Sequence, residues 1–229
     1  MPSDVPPNVP SEAPGASTRP LVMRFAQVVT GTALMGVAVA LLINASLGLL
    51  PLDILHRAIG DRFGWTIGGA IIAVQSTLLV LNLALGVKPG AGTLAAVVIP
   101  AVVADFALWV LPAPQPVWLR LMAMLLGGAM FAVGTAAYLS AELGALPRDG
   151  LMVAIRRRSG WGPARIRIGA DVLCLLAGVL MINPALAVAN GSLGVGSVLL
   201  AVALGPSIAS LVPLFTHRPQ SDARVRGEN

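Results

Sequence analysis

Long uncharged apolar runs restrict this chain to folds that lipid can surround. Gly31–Ile43, Ile67–Leu81 and Leu173–Ile182 each lack a charged side chain. A helix needs about 20 apolar residues to cross roughly 30 Å of hydrocarbon. Six stretches are read as such spans, at 22–44, 66–86, 92–111, 118–140, 163–183 and 196–215. The breaks between them are punctuated by Lys88-Pro89-Gly90, by Pro112, Pro114 and Pro116 between Trp109 and Trp118, and by Asn183-Pro184. The two indoles suit the headgroup level. Of 229 residues, 56% are hydrophobic and 11% charged, against about 25% charged in a soluble domain. So little charge cannot face water, and the sequence reads as an all-α integral membrane protein. Residues 1–20, rich in Pro and poor in bulky apolar side chains, lack the pattern of a signal peptide and read as a disordered tail. Residues 217–229 read the same way.

Within this frame one stretch occurs twice. ASLGLLPLDILHRAIGDRFGW at 45–65 returns as AELGALPRDGLMVAIRRRSGW at 141–161, identical at twelve positions with a constant offset of 96. Each copy follows one span and precedes two, which divides the chain into repeats at 21–112 and 113–216. A glycine pair opens the last span of each, Gly90-x-Gly92-Thr93 and Gly194-x-Gly196-Ser197. Here the offset is 104, so the second repeat holds eight extra residues in its last loop. Three spans is an odd number, so the second repeat must cross in the opposite sense, as in many secondary transporters. Charge agrees with that expectation. With the N-terminus inside, only Arg57, Arg62 and Arg120 of the fifteen Lys and Arg residues fall outside, a strong positive-inside bias. Both termini are then cytoplasmic.

The duplicated motif reads as a short helix after a sharp turn. Gly48 and Gly144 permit the turn. Pro51 and Pro147 occupy the first helical position, where a missing N–H costs nothing. Asp53 and Asp149 follow at the positive end of the helix dipole. Gly64 and Gly160 stop the helix. Such a helix either lies in the headgroup interface or re-enters the bundle, where its backbone must be covered. In the first copy, Leu52, Ile54, Leu55, Ala58, Ile59 and Phe63 fall on one side and Asp53, His56, Arg57 and Asp61 on the other, which points the polar side to water. The run Arg156–Arg158 places the second copy at cytoplasmic headgroups. The aspartates are either helix caps or, as two half-helix ends aimed inward from opposite faces, ligands of a small solute.

Other polar residues near or within the spans are weaker candidates for that site. Asp105 lies deep in a span, where an ionisable side chain is a functional candidate by default, although it could also cap a helix or pair with Arg120. Asp171 stands four residues after Arg167, the spacing of an intrahelical ion pair, and its repeat mate is Gln75. Asn44 and Glu142 flank the motifs, where they could close hydrogen bonds at the turns, and Glu142 near Arg148 reads as a plain salt bridge. His56 reads as a solvated loop histidine, with proton carriage as the alternative. The glycines Gly90, Gly92, Gly194 and Gly196 read as sites of close helix packing. Two histidines and Cys174 supply no metal cluster, and no nucleophile elbow, phosphate loop or HExxH is present. An enzyme is not expected, nor a cofactor, nor a nucleic-acid partner.

The doubled LG-x-x-P-x-D, on Leu47, Gly48, Pro51 and Asp53 and again on Leu143, Gly144, Pro147 and Asp149, resembles the YczE-like family of bacterial integral membrane proteins, related to the YitT group. Leu55 and His56, Arg148, Gly150 and Leu151, both glycine pairs and Gly205-Pro206 fit as well. Leu52, where the family often has Trp, and Pro100, where an aliphatic residue is usual, depart from it; Pro100 would kink the third span near Asp105. The resemblance implies a multi-pass protein of the bacterial inner membrane and names no substrate. The expectation from the repeat is a carrier or channel-like transporter of a small solute or ion. The alternative is a non-transporting accessory protein, a scaffold, chaperone or regulator of a partner. Its surroundings are the lipid bilayer, and the pattern leaves room for a homodimer.

Overall fold

The structure, a computed structural model, describes residues 19–216. Of the expected disordered tails, residues 1–18 and 217–229 lie outside the described residues. Among the described residues nine helices form: α1 Leu21–Ala45, α2 Pro51–Phe63, α3 Ile67–Ala84, α4 Ala91–Val110, α5 Val117–Ser140, α6 Pro147–Ser159, α7 Pro163–Ile182, α8 Pro184–Ala189 and α9 Val195–Phe215. No strand occurs among the described residues. Five of these nine helices, α1, α3, α4, α5 and α9, are long and apolar enough to cross a membrane. At the sixth expected position α7 forms over 20 residues, but Arg165, Arg167 and Asp171 occupy its first half. The extra residues of the second repeat fold in part as α8. Helix α4 runs through Pro100, which is buried.

The halves interlock rather than stand side by side. Helices α1 and α5 form the most extensive pair, with α4 against α1 and α9 against α5. The short helices change sides: α2 packs on α7, and α6 on α3. Small residues make the central crossing close. A Cβ on Gly31 would stand 2.7 Å from the Gly134 carbonyl oxygen, and one on Gly127 3.1 Å from that of Ala38. These are one contact met twice, since 31 and 127, and 38 and 134, are each 96 apart.

The ends of α1 and α5 are tied by another repeated contact. Arg24 donates from Nε to the Ala141 carbonyl at 2.7 Å and from its guanidinium to that of Glu142. Arg120, 96 residues on, donates from Nε to the Ala45 carbonyl at 2.7 Å and from its guanidinium to that of Ser46. The start of each helix therefore binds the end of the other, and the two run antiparallel. Each guanidinium satisfies carbonyls that a helix end leaves without intrahelical partners. The Asn44 side chain donates to the Leu111 carbonyl at 3.0 Å, joining the C-terminal ends of α1 and α4.

Beyond these ends the chain turns as the sequence requires. Ser46 and Glu142 adopt φ of 50° and 53°, and Gly48 and Gly144 follow at 134° and 131°. Side chains rarely adopt the latter values. Space forbids one as well: a Cβ on Gly48 would collide with Ser197, and one on Gly144 with Thr93. Those partners belong to the glycine pairs of the opposite half. The Gly196 N–H donates to the Leu47 carbonyl, and the Gly92 N–H to that of Leu143, both at 2.9 Å. The glycine pairs thus clamp the motif turns of the other repeat.

A candidate binding cavity between the two motif helices

Held by these clamps, the N-terminal ends of α2 and α6 open onto one cavity of about 120 Å³. Asp53 and His56 enter its wall from α2, Gln75 from α3, Thr135 from α5, Arg148 and Asp149 from α6, and Arg167 and Asp171 from α7. The remaining lining is largely apolar, with Val39, Ile71, Phe131, Leu200 and Leu204 among it.

The α2 wall is dry and short of partners. Asp53 is 5% exposed and His56 3%. His56 Nδ1 stands 3.2 Å from Asp53 Oδ1. With the ring proton on Nδ1 and donated to the carboxylate, Nε2 is left as an acceptor. Asp53 Oδ2, His56 Nε2, Gln75 Oε1 and Thr135 Oγ1 are all buried with no hydrogen-bond partner. Neither Asp53 nor Asp149 makes a side-chain cap on its own helix. Buried unsatisfied polar atoms are rare in folded proteins and call for an explanation.

The α6–α7 wall is ionic. Arg148 donates to Asp171 Oδ1 at 3.3 Å, both side chains about three-quarters covered. Burial pushes the Asp149 carboxyl above its ordinary pKa, and the charges of Arg148 and Arg167 pull it back down in part. Helices α7 and α9 both border the cavity but make only marginal contact, whereas their counterparts α3 and α4 pack together.

Several sequence expectations are corrected. The solvated histidine is buried, because Asp53 and His56 at the start of the polar side of α2 line a cavity instead of facing water, while Asp61 at its far end is exposed. Helix α6 does not lie wholly at a surface: Pro147, Gly150 and Ala154 are buried, while Val153 and the Arg156–Ser159 end are exposed. Asn82 of α3 reaches it, donating to the Pro147 carbonyl at 2.7 Å. Asp171 pairs across helices with Arg148 rather than back along α7 with Arg167. Asp105 lies outside the cavity and accepts the Gly68 N–H at 2.7 Å, capping the start of α3. Asn44 and Glu142 also lie outside the lining, at the turns. Thr135 escaped the sequence reading, and Arg167 entered it only as an ion-pair partner of Asp171, not as a site residue. Their signal was the repeat: they stand 96 residues after Val39 and Ile71, apolar positions replaced by polar ones.

The described residues bring no group of three metal-ligating side chains together. A family model described as a family of unknown function, DUF6198, matches residues 21–213. The uncharacterized membrane protein YczE of Bacillus subtilis (strain 168) is 30% identical over 187 residues, covering 81% of this chain and 83% of that protein. The chain belongs to the YczE-like membrane protein family. An uncharacterized protein of Haemophilus influenzae (strain ATCC 51907 / DSM 11121 / KW20 / Rd) is 26% identical over 186 residues, covering 81% of this chain and 82% of that protein. No solved structure matches. Family membership agrees with the apolar helices in making this a membrane protein, and the turn, clamp and cavity describe what the motifs LG-x-x-P-x-D and GxG[TS] build.

Proposed function

We propose that the protein is a non-enzymatic carrier of a small polar solute or ion, which binds in the cavity between α2 and α6. The observation that carries this reading is the set of buried, unpartnered polar atoms on residues that line the cavity. A scaffold gains nothing from polar groups buried without partners, each costing about 1–3 kcal/mol, whereas a polar ligand would satisfy them. The repeated contacts across the antiparallel α1–α5 pair support an inverted 3+3 arrangement, with α7 as the sixth span and both termini in the cytoplasm of a bacterial inner membrane. Half-helix ends meeting at the centre of such a repeat are the usual place for a transported solute. On this reading two of the three charges of α7, Arg167 and Asp171, line the cavity, where a span tolerates them, and Arg165 lies exposed in its first turn.

Uptake tests the proposal. Proteoliposomes and protein-free liposomes are incubated with a mixture of isotopically labelled small metabolites, washed and analysed by mass spectrometry. The carrier reading requires a solute retained above the protein-free level and lost in Asp53→Asn. Retention of none, together with a stoichiometric partner protein in native purification, would favour the accessory reading, for which the exposed Arg156–Arg158 end of α6 offers a docking point.

A further inference from the structure

The cavity lining is uneven in charge and in hydrogen-bonding sense. With the His56 ring neutral, it sets three carboxyl groups, Asp53, Asp149 and Asp171, against two guanidinium groups, Arg148 and Arg167. Its unpartnered polar atoms are Asp53 Oδ2 and His56 Nε2 on α2, Gln75 Oε1 on α3 and the Thr135 hydroxyl on α5. With the ring proton on Nδ1, all four can accept a hydrogen bond, and of these atoms only the hydroxyl can donate one. Unpartnered acceptors in a lining with one carboxyl in excess fit a cation that carries several donors.

We infer that these acceptors hold the ammonium group of a small primary amine whose short hydrocarbon part lies against apolar lining residues such as Val39, Ile71, Phe131, Leu200 and Leu204. The inference rests on the cavity being the solute site. An –NH₃⁺ group offers three donors on a compact charge. A quaternary ammonium offers charge without donors, and an alcohol has no charge to meet Asp53. Size sets the rest. An apolar cavity of about 150 Å³ accommodates benzene, so about 120 Å³ admits on the order of five or six non-hydrogen atoms. That is room for butylamine.

The test uses the purified full chain in detergent, with its melting temperature followed during titration at matched chloride concentration. The probes are n-butylammonium, tetramethylammonium, 1-butanol and butyrate. A saturable rise is expected with n-butylammonium alone. Its half-saturating concentration should increase at least about tenfold in Asp53→Asn, the loss of one hydrogen bond to a charged group, and stay unchanged in Asp61→Asn on the exposed end of the same helix. Should Asp53→Asn fail to fold, Thr135→Val and Gln75→Leu serve instead, each weakening the n-butylammonium response. An equal response to tetramethylammonium or 1-butanol, a response to butyrate, or no response to n-butylammonium overturns the inference. Binding without uptake in proteoliposomes would retire the carrier and keep the amine site. Uptake of a solute lacking an amine would do the reverse.

Discussion

An aspartate stands at the third position of α2 and again of α6, and both line the same cavity. Asp53 lies against His56 with an unpartnered oxygen; Asp149 feels the charges of Arg148 and Arg167. The backbone around them is nearly duplicated, from the turn at Gly48 and Gly144 to the stop at Gly64 and Gly160. The side chains are not: Leu52 answers to Arg148, Ile71 to Arg167 and Gln75 to Asp171. Duplication supplies a cavity walled by two facing helix ends, and divergence gives its walls different chemistry. A symmetric frame with unlike walls can hold one ligand in one orientation.

The shared frame breaks most severely at the turns. Gly48→Ala and Gly144→Ala each force a side chain into a strained conformation and a closed space. Losses of roughly 2–6 kcal/mol are expected, read as a collapsed yield of folded protein on size exclusion. Equal damage at both sites marks the turns as equivalent; a harmless Gly144→Ala would end that equivalence. The next effect tests the ties between α1 and α5. Arg24→Ala and Arg120→Ala should each cost about 1.5–3 kcal/mol per charged hydrogen bond lost, less solvent screening, and lower the melting temperature by similar amounts. Lys should restore little, because the two carbonyls are bridged by one planar fork.

The smallest effect separates the two walls. An acid whose pKa is raised on folding holds its proton better in the folded chain. Stability therefore falls as pH climbs from the ordinary carboxylate range, and levels off above the folded pKa. Asp149→Asn should remove part of that slope, raising the melting temperature relative to wild type at neutral pH and not below the carboxylate range. A wild-type slope that survives unchanged in Asp149→Asn would show that the burial of Asp149 has no such consequence.

Much of the fold was legible because lipid permits few alternatives. Helices must be long, apolar and punctuated, so helices end within a few residues of Pro89, Pro112 and Asn183 as read, although α7 is not among the five described helices long and apolar enough to cross a membrane. The repeat also announced its turns, since only glycine suits positions 48 and 144. The cavity was less legible. A helical wheel sends Asp53 and His56 to water, and it cannot tell bulk water from an internal polar space. Which helix covers which is a long-range matter, so the exchange of α2 onto α7 and α6 onto α3, and with it the Arg148–Asp171 pair, left no local trace. As site residues, Thr135 and Arg167 were visible only as breaks in the repeat.

The central claim is that α2 and α6 enter one cavity from opposite faces of the membrane. Arg62 and Arg158 are equivalent, exposed positions near the outer ends of those helices. Single cysteines at these sites, introduced as Arg62→Cys and Arg158→Cys in a Cys174→Ala background, can be labelled in intact bacterial cells with a membrane-impermeant maleimide. The account predicts labelling at 62 in intact cells, and at 158 only after permeabilisation. Labelling of both positions from the same side would contradict it.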